Sequence, residues 1–238
     1  MIDRRSFAGV FAAAAIAALL GGCGFGSVTT GETRNETVSF DFGEATSARV
    51  ELRMGSGELQ VNSGTPKLVE GKFAYNVADW KPVVDYRAGT TGELKISQPN
   101  SSGSSFGNSV NRWDVKLNGE LPLDVTATLG AGEANLVLGK MTLSRVEMNI
   151  GAGKVTMDLR GEPKHDYTVQ IRGGVGETVV YLPKDAGISA KATKGIGDIS
   201  TEGLEQRDGV WINPDRVGAP VTVRLDVKGG VGAIRLVR

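Results

Sequence analysis

The chain has 238 residues, a size that suits one elongated domain or two small ones, and its single cysteine cannot form an internal disulfide. Its 27 basic and 27 acidic residues cancel, so the basic surplus expected of a nucleic-acid-binding protein is absent. Its 34 glycines are about twice the usual share, which makes their positions the first question.

The N-terminus reads as an export signal that ends at the cysteine. Arg4 and Arg5 provide positive charge, residues 10–20 are continuously apolar, and Leu20-Gly21-Gly22-Cys23 follows. The apolar stretch is shorter than the about 20 residues that span a bilayer. Leu20-Gly21-Gly22-Cys23 resembles the lipobox of bacterial lipoproteins, in which the cysteine is lipidated and the signal is cut before it.

That resemblance implies that residues 1–22 are removed and that Cys23 anchors the protein to the extracytoplasmic face of a bacterial membrane. Residues 23–36 are then a polar, glycine-bearing tether. The alternative is an ordinary secretory signal that happens to contain a thiol. Arg4-Arg5-Ser6-Phe7 also resembles a twin-arginine signal, so both export routes stay open. Inner and outer membrane are likewise both open.

Residues 37–98 are predicted to form an irregular β region. Its predicted strands are Val38–Phe42, Arg49–Met54, Lys72–Tyr75, Val83–Tyr86 and Leu94–Ile96, separated by Gly, Pro and Asn turns.

Residues 99–112, rich in Ser, Gly and Asn, are predicted to be a long loop. Trp113–Leu117, the dipeptide Asn118-Gly119 and Leu121–Val125 then predict a β-hairpin that leads into the next region.

Residues 113–238 place the glycines in a repeat. Gly130-Ala131-Gly132, Gly151-Ala152-Gly153 and Gly174-Val175-Gly176 each lie between two segments of alternating apolar and polar residues, and later copies end at Gly197 and Gly232. From the first copy to Gly197 the steps are 21, 23 and 21 residues. This period predicts an all-β fold, a parallel β-solenoid of about 21-residue coils with glycine at tight corners.

Two details of this solenoid can be predicted from the same repeat. Glu133, Lys154, Glu177 and Asp198 occupy equivalent positions after the bends, so they should form a column on successive coils. The last step, to Gly232, is 35 residues, which predicts a loop inserted between Thr201 and Pro220.

Two residues in that insertion are candidate binding residues. Trp211 and Arg216 are of the types enriched at binding hot spots. Trp211, like Trp80, has the alternative role of covering an open end of the solenoid, and an exposed aromatic could also bind a sugar ring.

Motifs for cofactors, metals and catalysis are incomplete. Gly130-x-Gly132 lacks the third glycine of a dinucleotide loop. Thr178 stands where a calcium-binding nonapeptide repeat needs Asp. His165, the only histidine, makes neither a metal cluster nor a triad and is predicted to be a solvated loop residue. We therefore expect no catalytic residue, metal or cofactor.

Four segments carry a resemblance to a known family: Ala78-Asp79-Trp80-Lys81-Pro82, Asn111-Arg112-Trp113-Asp114-Val115, Leu129-Gly130-Ala131-Gly132-Glu133 and Ile171-Arg172-Gly173-Gly174-Val175-Gly176-Glu177. In this order they resemble the bacterial toast-rack proteins, which are β-solenoid domains of unknown biochemical function. These are similar to the C-terminal domain of LiaF-type regulators of the cell-envelope stress response. The resemblance covers roughly Thr37 to Val237 and supplies no functional residues.

Together these patterns predict a lipid-anchored envelope protein that acts by surface contact, without catalysis, on an envelope protein or polysaccharide. One alternative is a regulatory partner of a membrane stress sensor, which the LiaF similarity implies, although LiaF-type regulators carry transmembrane helices before this domain. The other is a polysaccharide-active β-helix enzyme, which would need a grooved pair of carboxylates about 5 to 10 Å apart. Nucleic acid is not an expected partner, and the oligomeric state is open.

Overall fold

The computed structural model describes residues 29–99 and 108–238, so the predicted signal, Cys23 and most of the loop at 99–112 lie outside the described residues. The described part is all-β, with two short 3₁₀ helices at Ala78–Trp80 and Pro214–Arg216 and no α-helix. None of its helices has the length and apolar character needed to cross a membrane.

The strands of the described part are, in chain order, β1 (Arg34–Phe40), β2 (Ser47–Thr65), β3 (Val69–Tyr75), β4 (Val83–Arg87), β5 (Thr91–Ser97), β6 (Asn111–Asn118), β7 (Leu123–Val137), β8 (Leu143–Asp158), β9 (Tyr167–Tyr181), β10 (Gly187–Glu202), β11 (Glu205–Arg207), β12 (Val210–Ile212) and β13 (Thr222–Val237).

The strands form one long sheet in the order β1-β3-β6-β2-β7-β8-β9-β13-β10-β12-β11, with β5 joined to β2 and β4 joined to β5. From β6 to β10 every neighbouring pair is parallel, and the antiparallel pairs lie towards the two ends. The prediction of an all-β fold is confirmed. A long, mostly parallel sheet is consistent with a β-solenoid.

A single hydrophobic core follows the sheet because equivalent apolar residues stack on neighbouring strands. One column consists of Val50, Val125, Val146, Val169, Leu225 and Ala190, all buried and in direct register. Such alternation buries one face of each strand and leaves the other polar, as predicted.

The second glycine of each Gly-x-Gly segment lies in another column, which consists of Gly57, Gly132, Gly153, Gly176, Gly232 and Gly197. Their φ angles fall between +128° and +138°, a region that side chains disfavour. A Cβ on Gly153 would lie 1.9 Å from the carbonyl oxygen of Gly132. Across Gly130–Gly132 the buried alternation changes phase, from Leu129 to Ala134. Both the conformation and the close backbone approach therefore require glycine.

The predicted hairpin at 113–125 is wrong. β6 and β7 both pair with β2, on opposite sides of it, so they are not neighbours. Asn118 explains why its dipeptide makes a different turn: its buried side chain accepts hydrogen bonds from the amides of Glu120 and Leu121. Its amide nitrogen donates to the carbonyl of Lys67 at 3.2 Å. The turn is thus tied to the β2–β3 connection.

The predicted order of the coils is also wrong at one place. Glu133, Lys154 and Glu177 are adjacent in register, and Lys154 Nζ lies 3.4 Å from Glu177 Oε2. The next residue in the column is Ala233, and Asp198 follows it. The reason is that β13, the last strand of the chain, lies between β9 and β10.

The predicted insertion at 201–220 is mostly structured. It contains the hairpin β11–β12, and β12 pairs with Ser189 and Ala190 of β10. Asp208 and Gly209 both have positive φ, the conformation of a two-residue type I′ turn. The insertion therefore covers part of β10 and is more than a loop.

Candidate binding surface at the C-terminal end of the sheet

β10 forms a partly uncovered edge of the sheet. Within the described residues, β12 pairs only with Ser189 and Ala190, so residues 191–202 have a neighbouring strand, β13, on one side alone. β10 lies eight strand spacings from β1, roughly 38 Å along the sheet at about 4.8 Å per strand. The uncovered edge is therefore far from the N-terminal strand.

Three exposed apolar side chains stand beside this edge and form what we call the apolar ridge: Val175, Val231 and Ile196. They are 57%, 46% and 71% exposed, and they lie side by side because each is the middle residue of a Gly-x-Gly segment. The same position carries Ser56, Ala131 and Ala152 on the earlier strands. The column thus changes from small residues to large β-branched ones toward the C-terminal end.

The flanking glycines make the apolar ridge prominent, because no neighbouring Cβ stands beside its side chains. Contiguous exposed apolar side chains are uncommon on soluble proteins and mark contact surfaces. Single exposed apolar residues also occur elsewhere, at Val83, Val137 and Val217, but they are not aligned with one another in this way.

Lys194 covers one backbone carbonyl on the uncovered edge of β10. It occupies the register position that Leu129 and Ile150 hold on earlier strands, and its Nζ donates to the carbonyl oxygen of Gly197. A Cβ on Gly197 would lie 1.7 Å from the carbonyl oxygen of Gly232, which shows that this carbonyl faces β10. The second glycine of each Gly-x-Gly segment directs its carbonyl toward the next strand in the same way, so the carbonyl of Gly197 faces the uncovered side of β10. A lysine on an edge disfavours unselective strand addition. Addition of a further strand at this point of β10 is therefore disfavoured.

The candidate binding residues Trp211 and Arg216 both lie near this end. Trp211 is on β12, half-buried against the main core, next to Ala190. Arg216 donates to Asp185 Oδ1 at 2.7 Å. Trp211 thus packs over the last full strand, while Arg216 is held by a partly exposed ion pair.

Polar contacts fix the insertion to the sheet. Asn213 is buried; its Oδ1 accepts from the amide of Ile188 at 2.7 Å and its Nδ2 donates to the carbonyl of Ala186 at 2.8 Å. Arg238 donates to both oxygens of Asp215 at 2.6 and 2.7 Å, and this guanidinium lowers the pKa of the Asp215 carboxyl. These hydrogen bonds and this ion pair therefore hold the insertion in a defined position against the sheet.

A second carboxylate joins β9 to β13. Asp166 accepts a hydrogen bond from the amide of Thr222 at 2.8 Å and another from Arg224 at 3.0 Å. These donors lower the pKa of the Asp166 carboxyl, the backbone amide having the larger effect. Among residues 29–99 and 108–238, no group of three or more His, Cys, Asp or Glu side chains is placed to hold a metal ion.

The sequence interpretation missed the apolar ridge although a signal was present. The middle residue of the Gly-x-Gly segments changes from Ala to Val and Ile along the chain. It also missed the hairpin turn, for which Asp208-Gly209 is a recognised signal. Trp80, in contrast, is buried beside Tyr75 and Val77 near the N-terminal end, as expected of a residue that covers an end.

The fold and this surface define an all-β protein of one long, mostly parallel sheet with an uncovered apolar end. The chain belongs to the toast-rack family: the family model described as the N-terminal domain of toast_rack, DUF2154, matches residues 29–181. The matched segment ends where β9 ends, so the apolar ridge lies partly beyond it.

One solved structure is similar over nearly its whole length. It is a proposed cell adhesion protein from Clostridium sporogenes ATCC 15579, with 33% identity and a TM-score of 0.84, and the match covers 87% of this chain and 99% of that one. A proposed adhesin from Bacteroides fragilis NCTC 9343 has 9% identity and a TM-score of 0.34 over 88% of this chain and 99% of its own. No curated protein matches the chain.

Proposed function

We propose that the protein is a lipid-anchored, non-catalytic binding module that presents the C-terminal end of its sheet to a protein partner in the cell envelope. The observation that carries the proposal is the apolar ridge of Val175, Val231 and Ile196, exposed beside the uncovered edge of β10. The N-terminal strand lies at the other end of the sheet. A tether that precedes β1 would hold that end near the membrane and leave the apolar ridge facing away from it.

The similar structure from Clostridium sporogenes supports a role in contact, since that protein is described as a proposed cell adhesion protein. We also infer that each Gly-x-Gly segment is the corner of a coil of about 21 residues, because the buried alternation changes phase there. The domain boundaries at residues 22, 36, 98 and 112 stay predictions, as does the partner role of Trp211 and Arg216.

The binding proposal is tested with a double variant of the apolar ridge, Val231→Ser with Ile196→Ser. Val83→Ser is the matched control, because Val83 is 55% exposed on β4, away from the ridge. Each protein is used to capture partners from detergent-solubilised envelopes, and the captured proteins are quantified. The double variant should lose a partner that the unchanged protein and the control both retain.

Capture that is unchanged in the double variant, or equally reduced in Val83→Ser, would exclude the apolar ridge as the contact surface. Circular dichroism melts of all three proteins show whether a loss reflects binding or folding. Parallel assays of polysaccharide cleavage test the enzyme alternative, for which turnover abolished by changing one carboxylate would be the evidence.

The anchor is tested separately with Cys23→Ser. Lipid chains contribute about 0.8 kcal/mol per buried methylene to membrane affinity, so their loss should release the protein from membranes or leave the signal uncleaved. Membrane fractionation with size analysis measures both results. A variant that stays in the membrane pellet at the mature size would contradict lipid anchoring.

A further inference from the structure

A cleft of about 600 Å³ lies along three stacked connections of the sheet, those that join β6 to β7, β7 to β8 and β8 to β9. We call it the turn cleft. Its volume is within the range of about 300–1,000 Å³ that is typical of small-molecule sites. It is distinct from the apolar ridge, none of whose three residues lines it.

Glycine backbone lines part of the turn cleft. A Cβ on Gly139 would lie 1.8 Å from the carbonyl oxygen of Arg160, and one on Gly161 would lie 1.9 Å from the carbonyl oxygen of Gly139. The connections therefore stack backbone against backbone, and the space beside them is not filled by side chains at these positions. Met141 and Leu143 add buried apolar surface.

Tyr167 is the residue of the turn cleft that points to a ligand. It is only 4% exposed, it lines the cleft, and its hydroxyl has no hydrogen-bond partner among the described residues. Burial raises the pKa of this hydroxyl, so it stays protonated and is a hydrogen-bond donor at neutral pH. Because the ring is buried while the hydroxyl oxygen is not fully enclosed, the hydroxyl opens to the cleft, where it can donate to a ligand.

His165 also lines the turn cleft. Its Nε2 lies 2.8 Å from the carbonyl oxygen of Leu143, which can only accept, so Nε2 carries the proton. In the neutral ring Nδ1 is then an acceptor. His165 lies in the loop between β8 and β9, as predicted, but its ring is half-buried and held by this contact, so it is less solvated than expected.

The rim of the turn cleft carries four exposed charges, Glu120, Lys140, Glu162 and Lys164. Within the described residues none of them makes an ion pair, and the two positive and two negative charges cancel. The cleft thus offers donors and acceptors in balance. Since the rim has no net charge, it gives no net electrostatic attraction to an ion of either sign.

We propose that the turn cleft binds a neutral saccharide of one or two rings, with its hydroxyl groups satisfying Tyr167 and the rim. Each sugar hydroxyl both donates and accepts, which matches a mixed set of protein donors and acceptors with no net charge. In the cell envelope such units are parts of polysaccharides, so this site would hold a polymer while the apolar ridge holds a protein.

The test is a titration of the isotopically labelled protein followed by NMR. The probes are the neutral disaccharides cellobiose, maltose and diacetylchitobiose, with glucosamine and glucuronate as charged comparisons. At least one neutral disaccharide should produce saturable shifts at the Met141 methyl group and at the amides of Gly139 and Gly161. Loss of one neutral hydrogen bond predicts that Tyr167→Phe weakens this binding about three- to tenfold.

Tyr86→Phe is the control, because its hydroxyl likewise has no hydrogen-bond partner among the described residues but is buried on β4, outside the turn cleft. It should leave the affinity unchanged, as should the double variant of the apolar ridge. Glu162→Gln, at the exposed rim, should weaken binding even if Tyr167→Phe fails to fold.

Three results would overturn the proposal. The first is the absence of saturable shifts at the cleft with every neutral disaccharide, which would mean that Tyr167 meets water only. The second is tighter binding of glucosamine or glucuronate than of the neutral probes. The third is an affinity unchanged in both Tyr167→Phe and Glu162→Gln.

Discussion

The two ends of the long sheet are finished in different ways. At the N-terminal end, the first half of β2 is covered by β5 and β4, and the second half by β6, β3 and β1. Phe73 and Trp113 pack edge to face there, with ring centroids 5.4 Å apart. Apolar and aromatic packing therefore seals this end.

At the C-terminal end the last strand of the chain turns back between β9 and β10, and ion pairs hold the remaining segments. Arg216 with Asp185 and Arg238 with Asp215 join the insertion to its surroundings, and Arg235 with Glu202 joins β13 to β10. These pairs are partly exposed, where solvent screening keeps the contribution of each to stability small.

The difference teaches that one end is built for stability and the other is left accessible. A sealed end removes apolar side chains from water and cannot offer them to a partner. An end held by surface ion pairs keeps its apolar residues exposed, which suits the contact role proposed for the apolar ridge.

The largest expected effect comes from valine at matched glycines of the two ends. Gly57→Val should cost more than about 4 kcal/mol, because Gly57 has φ +134° and a Cβ would lie 2.2 Å from the carbonyl oxygen of Asn111 within a covered region. Gly197→Val should cost less, since β10 has no outer neighbour there and can shift away. Urea denaturation measures both, and equal losses would contradict the distinction between the ends.

Alanine substitution of one tryptophan at each end should show a smaller difference in stability. Trp113→Ala should cost about 3–5 kcal/mol, because Trp113 is 1% exposed and packs within the sealed end. Trp211→Ala should cost less than about half of that, since Trp211 is only half-buried against the core. Thermal melts of the two variants measure the difference. A larger loss for Trp211→Ala would show that the insertion, and not the aromatic packing, limits stability.

Acid should loosen the C-terminal end first. The pKa values of Asp166 and Asp215 are lowered in the folded state, so these carboxylates stabilise it above their ordinary pKa of about 4, and that contribution is lost as the pH falls through the lowered values. Amide hydrogen exchange between pH 5 and pH 2.5, read at β13 and at the insertion, should show lost protection there before β2 and β6 lose theirs.

Asp215→Asn is the control for the acid effect. It removes one titrating group, so it should lower protection of the insertion at neutral pH and reduce its further loss in acid. The N-terminal end has its own lowered pKa, that of Glu36, which accepts from Tyr75 and pairs with Lys81. Simultaneous loss of protection at both ends would show that the contacts of Glu36 contribute as much to acid stability as those of Asp166 and Asp215.

The smallest expected effect is that of Ile196→Ser. Because Ile196 is 71% exposed, the substitution should change the free energy of unfolding by less than about 0.5 kcal/mol. Ile96→Ser, at a fully buried position of β5, should cost several times more. Calorimetric melting measures both. A clear loss for Ile196→Ser would mean that the apolar ridge supports the fold and would weaken its proposed role in contact.

The sequence by itself determined the all-β character, most strand positions and the glycine columns. Period-two alternation and the recurrence of Gly-x-Gly are local properties, and a strand buries one face whatever its neighbours are. The four segments that carry the family resemblance were sufficient to place the chain in the toast-rack family. The charge column was predicted in register for Glu133, Lys154 and Glu177 for the same reason.

Only the tertiary structure decided which strands are neighbours. Strands with the same alternating pattern can pair in more than one order, so no sequence pattern showed that β13 lies between β9 and β10 and separates Glu177 from Asp198. β6 and β7 likewise read as a hairpin, because the partner that separates them, β2, lies far back in the chain. The turn cleft and the apolar ridge exist only once these strands are stacked, since each is made from residues that different strands bring together.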